Sequence, residues 1–290
     1  MPVNTRELRR RIRATKSVKQ ITKAMEMIAA SKMRKAQLAA LASRPYAHLA
    51  WEMLVALGAS IARSGSENAA VHPLLREGAA EGPRLVLVLT PNRGLCGSLS
   101  SQVLSEARMG RGSEVHYVSV GKKGQRALAR LKLPVVAHFN GFETQPAVAE
   151  VRPIAKMLMD AFIAEEVVAV DVVYADFIST LQYRVRRQAL LPLRIADGLQ
   201  QATTPEFLFE PSPAAALQEL MPRLTELLVY QAILEGLASE HSARMVAMQG
   251  ASRAADDLID DFTLTYNAAR QAAITGELAD IVGGRLAVAL

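Results

Sequence analysis

Residues 217–276 read LQELMPRLTELLVYQAILEGLASEHSARMVAMQGASRAADDLIDDFTLTYNAARQAAITG, and this stretch decides the fold. Stepping alternately three and four residues from Leu217 lands on Leu220, Leu224, Leu227, Gln231, Leu234, Ala238, His241, Met245, Met248, Ser252, Ala255, Ile259, Phe262, Tyr266, Ala269, Ala273 and Gly276. With Tyr counted as apolar, 14 of these 18 positions fit a heptad seam. A seam sustained this far outruns an ordinary globular helix and predicts a coiled coil. At 1.5 Å per residue the helix from 214 to 284 would span about 105 Å.

The other end of the chain offers a partner. No glycine or proline occurs between Val3 and Arg44, and apolar residues recur at Val18, Ile21, Met25 and Ile28, then at Ala39, Ala42, Tyr46, Leu49 and Met53. This predicts a second long helix, about 80 Å from Val3 to Leu57, with Pro45 as a kink. Charge supports pairing. Residues 1–44 carry twelve Lys and Arg against two acidic residues, whereas residues 214–290 carry five against ten. A basic helix and an acidic one are suited to lying against each other.

Between the helices the pattern changes. Leu85–Thr90, Glu114–Val120, Val135–Phe139 and Val167–Phe177 are short β-rich runs, the last interrupted by Asp171, and Ser179–Leu190 reads as a final strand. Helical patterns fit Leu99–Met109, Lys122–Leu131 and Ala147–Ala164. Strand and helix alternating at this spacing predict a small α/β domain with a mostly parallel sheet. The expected organisation is an N-terminal coiled-coil helix over 1–58, a linker over 59–82, the α/β domain over 83–200 and a C-terminal coiled-coil helix over 210–290.

Composition excludes several classes. Half of the 290 residues are hydrophobic, yet only 14 are aromatic and 48 are alanine, which favours helix over a thick sandwich core. The single cysteine, Cys96, cannot form an internal disulfide, and the five histidines are too dispersed for a ligand cluster, so no metal or cofactor is expected and a reducing compartment is the natural setting. No apolar run approaches the roughly 18 residues of a membrane span. The Arg-rich start lacks the apolar core of a secretory signal.

Four features invite a chemical reading. The loop Thr90-Pro91-Asn92-Arg93-Gly94-Leu95-Cys96-Gly97-Ser98 lies between a strand and a helix, where backbone N–H groups can cradle phosphate, but it matches neither the Walker nor the dinucleotide fingerprint. A tight turn with a helix cap accounts for it. Cys96 has no base near it in sequence and reads as packing rather than as a nucleophile. The acidic run Asp256-Asp257-Leu258-Ile259-Asp260-Asp261 reads as a solvated or salt-bridging helix face. The basic start from Arg6 to Lys23 has the charge of a nucleic-acid binder without the aromatic residues or docking motif of one.

Three stretches carry a family resemblance. Ile21-Thr22-Lys23-Ala24-Met25-Glu26-Met27-Ile28-Ala29-Ala30-Ser31-Lys32-Met33-Arg34 resembles the N-terminal signature of the gamma subunit of F-type ATP synthases. Arg93-Gly94-Leu95-Cys96-Gly97 is similar to that family's central glycine loop, and 266–278 with Ile281-Val282-Gly283-Gly284 resembles its closing signature. The three occur in the family's order, end to end.

The resemblance implies an antiparallel coiled coil of the terminal helices, carrying a Rossmann-like α/β domain and acting as a rotor shaft. It implies three alpha and three beta subunits around the shaft, an epsilon subunit and a membrane c-ring at its foot, and no catalytic site, cofactor, nucleic acid or small-molecule substrate of its own. Met25 falls at a position that faces the beta subunit near the foot. Arg270, Gln271 and Thr275 fall at beta-subunit contact positions farther along the shaft. Val18, Ile21, Ile28, Met245, Met248, Ile259 and Phe262 are the expected seam. Lys19-Gln20 and Gly276 depart from the residues many members carry there. The early start of the first signature favours the cytoplasmic face of a bacterial plasma membrane.

Overall fold

A computed structural model of the chain describes residues 5–63, 72–76, 78, 81–109, 114–193 and 212–288. Helix α1 runs Thr5–Arg63 and the last helix, α5, runs Pro213–Val288. Between them lie β1 (Arg84–Leu89), α2 (Leu99–Arg108), β2 (Val115–Val120), α3 (Lys122–Arg130), β3 (Val135–Phe139), α4 (Val148–Ile163), β4 (Ala169–Ser179) and β5 (Gln182–Leu191). The described residues form two compact units, Met1–Ala29 with Met245–Leu290, and Ala30–Arg244. The division therefore runs through both long helices rather than at their ends. Pro45 lies within α1, and α1 extends through Arg63 into the expected linker.

In the second unit the sheet order is β3-β2-β1-β4-β5, parallel except for the β4–β5 hairpin. Alternate residues of β1 enter opposite cores, as the period of a strand requires. Leu85, Leu87 and Leu89 join Val170, Val172 and Tyr174, Ile154, Leu158 and Phe162 of α4, and Ala36, Ala40, Leu54, Met221, Leu224 and Leu234 of the long helices. Val86 and Val88 join Cys96, Leu99 and Val103 under α2, Leu128 of α3 and Ala243 of α5. Each face of a parallel sheet needs such a cover, and here the terminal helices supply part of it.

In the first unit α1 and α5 pair antiparallel. Arg9 meets Tyr266 and Lys19 meets Asp256, so the pairing advances along one helix as it retreats along the other. On α5, Met248, Ser252 and Ala255 are buried, and Met245, Ile259, Phe262, Tyr266 and Ala269 are partly buried, in heptad steps. On α1 the structure corrects the expected seam. Val18, Ile21 and Ile28 are 52%, 59% and 58% exposed. The residues turned inward stand one position later or in the same stepping: Leu8, Ile12, Thr15, Lys19, Thr22 and Ala29. A shift of one residue turns a helix by about 100°. By the same pairing Thr22 stands level with Ser252, and Ala29 with Met245 and Met248, while Lys19 lays its stem along the seam and its ammonium reaches Asp256. The bulkier stripe is left on the outer face.

This correction predicts that Ile21→Ser changes the calorimetric stability of the chain by less than about 0.5 kcal/mol. Ala29→Asp places an unpaired charge in the seam and costs at least about 2 kcal/mol. The reverse ranking would restore the original seam.

Candidate functional site

In open α/β sheets ligands sit outside the carboxyl ends of the strands, where neighbouring connections diverge. Here the glycine-containing loop follows β1 at that edge. The place for a ligand is taken by the chain's own α5. Leu89, Thr90 and Pro91 face Ile233, Gly236, Leu237 and Glu240 across a cavity of about 30 Å³. That is room for a water or two, against the roughly 300–1,000 Å³ of a small-molecule pocket.

The loop's chemistry agrees with this. Leu95 and Gly97 have φ values of 65° and 59°, and the left-handed leucine costs roughly 1–2 kcal/mol. The loop turns backbone carbonyls, not N–H groups, toward α5. Arg244 donates from Nε to the Gly94 carbonyl (3.4 Å) and from Nη2 to the Arg93 carbonyl (3.5 Å). Its Nη2 also donates to Glu240 Oε1 at 2.7 Å, and Nη1 lies 3.2 Å from His241 Nδ1. A cation receives the lone pairs where a nucleotide site would offer donors to phosphate. Around it Arg93 pairs with Glu143 at 3.1 Å, and Lys32 of α1 lies 4.0 Å from the same carboxylate.

Burial raises the Glu240 carboxyl above its ordinary range, opposed by Arg244. His241 is lowered to about 4, chiefly by burial and then by the positive charges of Arg244 and Lys32, with Glu143 opposing. Because Arg244 can only donate, His241 accepts at Nδ1 and carries its proton on the buried Nε2. A depressed His value stabilises the fold above pH 6.5 and is lost as pH falls toward 4, a contribution of about 3 kcal/mol at most. Glu240, being raised, contributes in the opposite sense, so the two partly offset on acidification. His241→Gln is expected to flatten the fall in melting temperature between pH 6.5 and 4.5. An unchanged slope would show that His241 does not titrate there.

A second polar group joins α1 to α5. Gln231 bonds the Ser43 hydroxyl and donates to Glu235 at 2.7 Å, and Arg44 reaches Glu235 at 3.5 Å. Burial raises Glu235, and burial followed by the Glu235 charge pushes the Tyr174 phenol well up. Neither group was singled out from sequence. The heptad stepping meets His241 as a misfit, and charged residues are too frequent along α5 for Glu240 and Arg244 to stand out.

The remaining candidates are dispersed. Met25 is half-buried, whereas Arg270, Gln271 and Thr275 are exposed. Cys96 is buried, its sulfur 3.9 Å from the Ser100 hydroxyl. Asp256 pairs with Lys19, while Asp257, Asp260 and Asp261 face outward. Arg9 lies over the Tyr266 ring, 5.4 Å from its centroid, and lowers the phenol's pKa by hydrogen bonding. Among the described residues no helix is long and apolar enough to cross a membrane, and no three potential metal ligands come together.

Two long terminal helices and a mostly parallel sheet, with one of the helices lying across the sheet's carboxyl edge, define an α/β class in which the usual ligand crevice is filled by the chain itself. Residues 4–288 match the sequence model of the family described as ATP synthase. The chain is 40% identical over 289 residues to the ATP synthase gamma chain of Dehalococcoides mccartyi, covering 99% of each. A chain of the central stalk and c-ring structure of the Tetrahymena thermophila mitochondrial ATP synthase superposes with a TM-score of 0.57 at 27% identity, over 80% of this chain and 99% of that one. A chain of the Euglena gracilis mitochondrial enzyme has a TM-score of 0.68 at 19% identity, over 98% and 94% respectively, and so shares the fold. The chain belongs to the ATP synthase gamma-chain family, and its function is that of the central-stalk subunit of an F-type ATP synthase.

Proposed function

We propose that this subunit has no catalytic site of its own and works as a rotor within three alpha and three beta subunits. An epsilon subunit and a membrane c-ring engage it, on the cytoplasmic face of a bacterial plasma membrane. The observation that carries this reading is the end of α5. From Arg270 to Val282 the helix is exposed on every face, and Ile274, Leu278, Ile281 and Val282 are 50–66% exposed. Large apolar residues on a bare helix favour burial against a partner.

In this reading Arg270, Gln271 and Thr275 contact beta subunits from that segment, and Met25 does so from α1. Two unequal helices present a different face in each direction. Inside a three-fold ring, each angular position therefore favours a different state in each beta subunit, and turning the shaft shifts which one is open. Rotation and nucleotide release are coupled by differential contacts, with no bond made by the shaft.

Affinity isolation of the intact chain from its own membranes tests the assembly. Alpha, beta and this subunit should be recovered in a 3:3:1 ratio, and Met25→Lys should uncouple the recovered enzyme. A chain recovered without nucleotide-binding partners would overturn the proposal.

A further inference from the structure

Near the start of α1 two guanidiniums flank one phenol. Within the unit of Met1–Ala29 and Met245–Leu290, Arg9 of α1 donates from Nη2 to the Tyr266 hydroxyl of α5 at 2.5 Å, and its guanidinium carbon lies 5.4 Å from the centre of the ring. Arg270 follows Tyr266 by one helical turn and shares its face of α5. The Arg9 hydrogen bond, then the charges of Arg9 and Arg270, draw the phenol's pKa down. Both arginines are exposed, and neither meets a carboxylate among the described residues. None is at hand: α5 has no acidic residue between Asp261 and Glu277, and on the facing stretch of α1 Glu7 is occupied by Arg11 at 2.6 Å.

We infer that Arg9 and Arg270 form a two-helix clamp for one carboxylate of a beta subunit, with Tyr266 holding Arg9 in place. The inference rests on the reading above in which Arg270 meets a beta subunit, and it adds α1 to that contact. Two cations side by side repel, whereas a carboxylate can accept from both through its two oxygens. Tyr266 engages the flat face and one N–H of the Arg9 guanidinium, which leaves the other donors of its fixed fork for a ligand. Stacking also orders a side chain that would otherwise lose its rotamer freedom on binding. The anion belongs to a protein, because the exposed apolar residues that begin at Ile274 on the same helix call for a protein surface beside it. Arg9 is thus a contact residue of the shaft and touches no nucleotide.

The test compares wild type, Arg9→Gln, Arg270→Gln, their double variant, Arg9→Lys and Tyr266→Phe as assembled enzyme in inverted membrane vesicles. ATP hydrolysis is read beside the melting temperature of each purified full chain. Arg9→Gln should lower hydrolysis about tenfold, the factor that loss of one charge-assisted hydrogen bond represents. Arg270→Gln should match it, and the double variant should lose little more than either, since two groups that hold one carboxylate fail together. Arg9→Lys keeps the charge without the fork and should recover part of the rate. Tyr266→Phe leaves Arg9 less ordered and should cost about threefold.

Wild-type hydrolysis in Arg9→Gln would overturn the clamp. A loss in the double variant equal to the product of the two single losses would overturn it as well, by making the arginines separate contacts. So would a loss in Arg9→Gln that follows melting of the chain below the assay temperature, by making Arg9 a staple of the seam. If Arg9→Gln does not assemble, Arg9→Lys completes the same cycle with Arg270→Gln. Unchanged hydrolysis in Arg270→Gln would instead remove the beta-subunit contact on which the clamp rests.

Discussion

Replacing Asp171 with alanine is expected to lower the stability of the α/β domain by about 3–5 kcal/mol, the range for removing one partner of a buried ion pair. Asp171 sits on β4 with its side chain 5% exposed. Arg84 of β1 reaches both of its oxygens, at 3.1 and 3.2 Å, and Arg187 of β5 reaches one at 3.5 Å. The carboxylate thus cross-links three adjacent strands. Arg187 also donates to the Glu106 and Ala107 carbonyls at the end of α2. Losing Asp171 leaves two cations crowded without their counter-charge and loosens the bond from sheet to helix. Asp171→Asn keeps an acceptor and should lose less. Calorimetry of the full chain reads the difference, and a melting temperature unchanged in Asp171→Ala would show that the arginines find other partners.

Gly121→Ala should be comparably severe. Its φ is 93°, and a Cβ there would stand 1.9 Å from the Thr90 carbonyl oxygen. At this point the ends of β1, β2 and β3 close on one another. Thr90 N–H donates to the Val120 carbonyl at 2.9 Å, Gly121 N–H to Phe139 at 3.0 Å, and Gly124 N–H to the Thr90 hydroxyl at 2.8 Å. An added methyl must part β1 from β2 while adopting a left-handed conformation. The two costs together are on the order of 3–5 kcal/mol. Gly97→Ala is the control: its φ is 59°, but its Cβ would meet nothing within 4 Å. It carries the conformational cost alone, about 1 kcal/mol. Equal losses at the two glycines would mean that the close approach to Thr90 does not matter.

The sheet was legible because buried parallel strands are short continuous apolar runs between breakers, as in Leu85–Thr90 after Pro83. The seam positions on α5 were visible because one heptad stripe there is apolar over many turns. On α1 two stripes compete at adjacent registers. Pattern reading favours the larger residues, Val18, Ile21 and Ile28, whereas the structure buries the smaller Thr22 and Ala29 one position later. Side-chain size along one helix does not reveal how near the other will come. The contacts of α5 at Ser242 and Arg244 were illegible for a related reason: Arg93, Gly94 and Thr180 lie far from them in sequence, and a backbone carbonyl leaves no trace in residue type. The same holds for the filled crevice, since the glycine loop's spacing says nothing about what occupies the space in front of it.

The central claim is that this subunit turns. The most direct measurement fixes a complex of this chain with three alpha and three beta subunits to a surface, attaches a bead to the α/β domain, and follows the bead after ATP is added. Rotation in one direction with three resting angles per turn is the predicted result, since three equivalent subunits act on one asymmetric shaft. Steady ATP hydrolysis with the bead stationary would contradict it.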